Sequence, residues 1–101
     1  MDMKKMMKQA QKMQAELAKA QEEVATLTSE ASAGGGVVKA VAAGDGSIMS
    51  ITIDPAAVDP EDVEMLQDLV LTAVNDSLRQ VSELANIRMS AVTNGLNIPG
   101  L

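Results

Sequence analysis

Apolar residues at Met3, Met6, Ala10, Met13, Leu17, Ala20, Val24 and Leu27 step alternately by three and four, and the rhythm holds over all of residues 1–28. Such a heptad fits a helix built to lay a narrow apolar stripe against another helix. The residues between are almost all Ala, Lys, Gln, Glu and Met, good helix formers, with no Gly or Pro. A helix over about 3–27 is predicted. Lys5, Lys12 and Lys19 sit seven apart and form a row on its other side, with Lys4 and Lys8 close by. One helix thus carries a packing seam and a positive ridge on opposite faces.

Beyond residue 26 the helix formers thin out. Residues 26–33 read as a weak polar strand, Gly34-Gly35-Gly36 forces a turn, and residues 37–43 are Val- and Ala-rich like a strand. Gly44-Asp45-Gly46 is a hairpin signal, and residues 47–54 close the hairpin. Asp54-Pro55 ends that strand, with a single helical turn over 55–58. Asp59 then reads as an N-cap, Pro60 as the first helical residue, and Glu61 and Asp62 complement the positive end of the helix dipole. A second helix is expected over 59–92, stopped by Thr93-Asn94-Gly95, with a short tail to Leu101. The expected fold class is α+β: one 101-residue domain with a basic heptad helix (1–28), a small antiparallel three-stranded sheet (29–54), a long helix (59–92) and a tail (93–101).

These lengths point to self-association. More than thirty helical residues at 1.5 Å each extend about 50 Å, whereas a compact 100-residue domain has a radius of gyration of only about 13 Å. Both helices must overhang the sheet, and a second chain is the simplest cover for their stripes, so a symmetric homodimer is expected. The core is built without Phe, Tyr or Trp, and eight methionines supply adaptable filler.

The absence of cysteine and histidine removes disulfides, thiolate metal sites, thiol nucleophiles and the usual general base. No catalytic constellation, cofactor site or metal site is expected. Gly34-Gly35-Gly36 lacks the following Lys-Ser or Lys-Thr and the helix of a phosphate loop. The acids Asp54, Asp59, Glu61, Asp62, Glu64 and Asp68 match no calcium loop. Asp76 or Glu83 is expected to pair locally with Arg79. No apolar run is long enough to cross a bilayer and no signal peptide is visible, so a cytoplasmic location is expected.

The net charge of −6 conceals two unequal parts. Residues 1–20 hold five lysines against two acids, a balance of +3, and residues 21–101 hold three cations against twelve acids, a balance of −9. Charges reach only about 8 Å in physiological salt, so the local ridge governs contacts. On pattern alone the ridge reads first as a solvated face that keeps a sticky helix soluble; as a phosphate grip, the other reading, its lysines would act as point charges that give affinity without sequence choice.

Several stretches together resemble the YbaB/EbfC family of bacterial nucleoid-associated proteins. They are Met7-Lys8-Gln9-Ala10-Gln11-Lys12-Met13-Gln14, Gly34-Gly35-Gly36-Val37-Val38-Lys39, Ile51-Thr52-Ile53-Asp54-Pro55, Glu64-Met65-Leu66-Gln67-Asp68-Leu69-Val70, Ala73-Val74-Asn75-Asp76 and Asn94-Gly95-Leu96-Asn97-Ile98-Pro99-Gly100-Leu101. The resemblance implies an αβββα chain, a tweezer-like homodimer, double-stranded DNA binding with little sequence preference, and a place in nucleoid organisation or DNA repair. It implies no enzymatic activity, cofactor, membrane or small-molecule substrate. Carried over by position, the DNA contacts are Lys4, Lys5, Lys8, Lys12 and Lys19, with Arg88 and Arg79 as weaker candidates. Thr52 stands where relatives frequently have lysine, and the hairpin reads Ala42-Ala43-Gly44-Asp45-Gly46, so Lys39 is the only cation on the sheet. The rival expectation is a protein-interaction adaptor or chaperone-like clamp that uses the Met-rich helices without touching DNA, a reading that the −9 balance favours.

Overall fold

A computed structural model describes residues 2–95 of the chain, with side chains described up to residue 92. The element order is α1 (Met3–Thr26), β1 (Thr28–Ala33), β2 (Val38–Ala43), β3 (Ile48–Ile53), a 3-10 turn (Pro55–Ala57) and α2 (Val63–Gly95). The strands form one antiparallel sheet in the order β1-β2-β3. This is the expected αβββα arrangement.

Strand alternation places Ala31 of β1 opposite Ala40 of β2, and Ala40 opposite Ile51 of β3. Val38, Ala40 and Ala42 point to the inner face and are buried, and α2 lies across that face. α2 meets the small strand residues with small residues of its own. Ala73 and Ser77 are fully buried, and Ser77 satisfies its hydroxyl by donating to the Val74 carbonyl at 2.8 Å. Ala33, Val37, Leu66, Leu69, Val70 and Val74 close around this centre. Helix and sheet therefore approach closely without an aromatic residue between them.

α1 joins through its second half. Ala20 is fully buried, Leu17 and Val24 are half-buried, and the hairpin presses on the end of the helix. The Gly44 N–H donates to the Leu27 carbonyl at 2.8 Å. A Cβ at position 44 would stand 1.7 Å from the Val24 carbonyl oxygen, so only glycine permits this approach. The hairpin turn is closed by Asp45, whose carboxylate accepts from the Ser47 hydroxyl at 2.6 Å and its backbone N–H at 2.9 Å. Those two bonds hold the carboxyl below its ordinary pKa, the hydroxyl being the larger cause.

The second helix departs from the expected bounds at both ends. Asp59 does not cap α2. Its carboxylate accepts from the Glu61 N–H at 2.9 Å, and the Asp62 N–H donates to the Asp59 carbonyl at 2.9 Å, which closes one separate turn. The cap passes to Asp62, which accepts from the Met65 N–H at 3.2 Å. Both aspartates offer the same acceptor chemistry; the helix begins where Leu66 and Leu69 reach the core. At the far end α2 continues through Gly95, three residues beyond the expected Val92. The tail expected after it, from residue 96, lies outside the described residues.

The described chain measures 73 × 22 × 16 Å with a radius of gyration of 20.1 Å, well above the about 13 Å of a compact chain of this length. The elongation comes from α1. Ser29, just after α1, bonds Gln80, whereas Glu23, further back, bonds Arg88, so the helices run antiparallel. From Arg88 the described helix extends seven residues, about 10 Å, whereas from Glu23 α1 extends twenty residues, about 30 Å. The outer turns of α1 pass beyond the end of described α2.

Gly44→Ala is expected to lower stability by about 2 kcal/mol, because the new methyl group collides with backbone rather than with a movable side chain. An unchanged urea midpoint would mean that the hairpin is not seated against α1 in this way.

Candidate nucleic-acid interface

Within a helix, residues spaced by seven return to nearly the same side, so Lys5, Lys12 and Lys19 recur about every 10.5 Å. The whole row spans about 21 Å. Lys4 and Lys8 flank it, and all five lysines are exposed. None has a carboxylate within ion-pair distance among the described residues. Glu16, four residues after Lys12 and three before Lys19, is the one acid set within the row, and it pairs with neither. Asp2 caps the helix by accepting from the Lys4 N–H at 3.0 Å, and Glu23 faces α2. The ridge is a row of unpaired cations, five lysines to the single Glu16.

The remaining basic residues do not join it. Arg88 binds Glu23, its Nε–H donating to Oε2 at 2.6 Å while Nη2 pairs with the same oxygen. This pair ties α1 to α2 across 65 residues of sequence, so Arg88 sits at the helix junction rather than on the ridge. Arg79 lies between Asp76 at 3.5 Å and Glu83 at 3.9 Å on the surface of α2, as its spacing from both predicted. Lys39 stands on the outer face of the sheet between Ser32 and Thr52, near the end of the strands away from α1.

The acids collect at that same distant end. β3 runs away from α1, so Asp54 and the turn over 59–62 follow the far end of the sheet, and α2 starts from that end. Six of the fourteen acids, Asp54, Asp59, Glu61, Asp62, Glu64 and Asp68, are thus set toward the end of the molecule away from the outer lysines. No cluster of three or more His, Cys, Asp or Glu that would hold a metal occurs among the described residues. No helix of the described residues is long and apolar enough to cross a membrane.

Two apolar surfaces are also open. α2 covers β1 and β2 but barely reaches β3, which leaves Ile51 and Ile53 exposed on the inner face. Gln80 of α2 reaches β1, so its opposite flank is on the β3 side, where Leu66, Gln67, Val70, Leu71 and Val74 line an apolar groove. Leu71 there is 60% exposed. The seven-residue step from Leu71 to Leu78 to Ala85 is the sequence signal for this second stripe; within the broad apolar face of the helix it is masked by the core residues beside it. On α1, Met3, Met6, Met7 and Ala10 line a second open groove on the side away from the lysines.

A model of the YbaB/EbfC DNA-binding family matches residues 1–96. A nucleoid-associated protein of Desulforamulus reducens is 63% identical over 100 residues, covering 99% of this chain and 95% of that protein. A nucleoid-associated protein of Moorella thermoacetica is 58% identical over 99 residues, covering 98% and 95% respectively. Among solved structures, an uncharacterized protein from Helicobacter pylori, HP0035, superposes with a TM-score of 0.71 at 26% identity, over 96% of this chain and 99% of that one.

If Arg88 is committed to Glu23, a double-mutant cycle with Glu23→Gln and Arg88→Gln should give a coupling of about 0.5–1 kcal/mol, the range for a pair this exposed. Additive losses in thermal unfolding would mean that the pair does not bind the helices together.

Proposed function

The chain belongs to the YbaB/EbfC DNA-binding family, and from that premise we propose that it binds duplex DNA as a homodimer through lysine–phosphate contacts along the outer face of α1. The observation that carries the proposal is the exposed, unpaired row of Lys4, Lys5, Lys8, Lys12 and Lys19 on α1. The row spans about 21 Å, about six base-pair steps of about 3.4 Å, so several phosphates come within its reach. Contacts to phosphate position a protein but carry no sequence information, so preference among sites arises from duplex shape. The chain has no aromatic side chain to stack on unpaired bases, which favours duplex over single strands. The proposed location is the nucleoid.

The second copy is assigned to the open inner face at β3. That edge leaves strand backbone unpaired, and Ile51, Ile53, Leu71 and the groove beside Val74 lie next to it. Stable interfaces bury about 1,200–2,000 Å² in total, and an exposed sheet edge flanked by a long helix is a surface on that scale. Twofold pairing there sets two lysine ridges on one body. Arg88 drops out of the contact set in this reading, because its charge is neutralised by Glu23.

With three or four lysines engaged per subunit, the dimer neutralises about six to eight phosphates, and log affinity should fall against log salt with a slope near −5 to −7. A slope near zero would remove phosphate contact. Lys5→Glu with Lys12→Glu should abolish a gel shift while sedimentation still reports a dimer; a persisting shift would move the contact elsewhere. Leu71→Glu should leave helicity intact and produce a monomer, and an unchanged sedimentation coefficient would place the second copy on another surface.

A further inference from the structure

The two halves of α1 are held by different things. Over residues 17–24 the helix has Ala20 fully buried, Leu17 and Val24 half-buried, and Glu23 bonded to Arg88. Over residues 3–12 every residue is exposed, and Met3 reaches 75% exposure. Nothing among the described residues covers the groove of Met3, Met6, Met7 and Ala10.

The charges of this outer segment also act against its helix. The first turn holds Lys4 and Lys5 and no acid, so cations sit at the positive end of the helix dipole. Lys4, Lys8 and Lys12 are spaced by four, which stacks like charges on neighbouring turns. The Asp2 cap and the helix propensity of Met, Lys, Gln and Ala are what favour the helix locally. The docked half of α1 supplies the helix nucleus, so this uncovered segment is held by propagation alone, which is only weakly favourable in water. An array of phosphates reverses each electrostatic term, because it is attracted to the same lysines and to the dipole.

We infer that residues 3–12 of α1 depend on polyanion charge to stay helical, so that duplex binding and ordering of this segment are one coupled event. The inference rests on the DNA reading above and adds a regulatory consequence. Part of the gross attraction is consumed in ordering the segment, which weakens net affinity and makes it responsive to any change of charge near Lys4, Lys8 or Lys12. Two misplaced first-turn cations and two like-charge pairs together amount to an opening equilibrium on the order of tenfold more favourable than without them.

Amide hydrogen exchange on the intact protein tests this. In low salt without DNA, amides of residues 6–12 should exchange at least about tenfold faster, relative to intrinsic rates, than those of residues 18–24. Saturating random-sequence duplex should slow the first group about tenfold and leave the second nearly unchanged. Raising salt to about 0.5 M without DNA should slow the first group as well, by screening the lysines from one another. Lys8→Glu sets an acid four residues before Lys12, the favourable order, so it should protect the segment without DNA and abolish the response to duplex. Equal protection of both groups in the free protein overturns the inference, as does a segment indifferent to both salt and Lys8→Glu. Duplex that binds without changing protection overturns the coupling and leaves the DNA reading standing. Duplex that fails to bind at all overturns the DNA reading, while the salt and Lys8→Glu results still decide whether charge strains the free segment.

Discussion

The seat of α2 on β1 and β2 is the contact on which the rest depends. Ala73 and Ser77 meet Val38 and Ala40 at zero exposure, with Leu66, Leu69 and Val70 around them. Small residues on both sides bring the helix axis close to the sheet, which compensates for a core without rings. Because the seat lies off centre, toward β1, the same contact decides what remains open. It leaves Ile51 and Ile53 bare on β3 and one flank of α2 unpaired. A better centred helix would have closed the inner face and left no apolar surface open there.

The position of α1 follows from that seat by a short chain of contacts. β1 is fixed under α2, the hairpin packs on the end of α1 through Gly44, and Glu23–Arg88 aligns the two helices. Each of these acts on the second half of α1. The first half is consequently projected outward with its methionines on one side and its lysines on the other. Projection is what makes a strongly acidic chain compatible with a polyanionic partner. Screening limits each charge to about 8 Å in physiological salt, and the acids of residues 54–62 follow the end of the sheet away from α1.

Membership of a DNA-binding family and the exposed lysine row are separate observations, the first of the whole chain and the second of α1. The family covers the chain from its first residue to residue 96, so no element stands outside the resemblance on which the functional reading rests. The arginines make the contrast. Positively charged in sequence like the lysines, both are drawn into pairs with acids on helices, and the cationic surface that remains is built from lysine alone.

The order of elements was legible in the sequence because each carries a local signal. The heptad fixes α1, Gly34-Gly35-Gly36 and Gly44-Asp45-Gly46 fix the turns, and the lysine row needs only helical periodicity to become a face. Local chemistry also sufficed for Arg79, whose partners lie within one turn. The start of α2 was less legible, since Asp59 and Asp62 are equal as caps and only the docking of Leu66 and Leu69 on the sheet distinguishes them. Arg88 was beyond local reasoning, because its partner is 65 residues away and an unpaired arginine reads the same as a paired one. The requirement at Gly44 is likewise invisible until Val24 is placed against it. Periodicity and turn chemistry act between near neighbours and so are written in the chain; which faces meet, which stay bare and which charges are neutralised depend on distances that exist only once α2 has settled on the sheet.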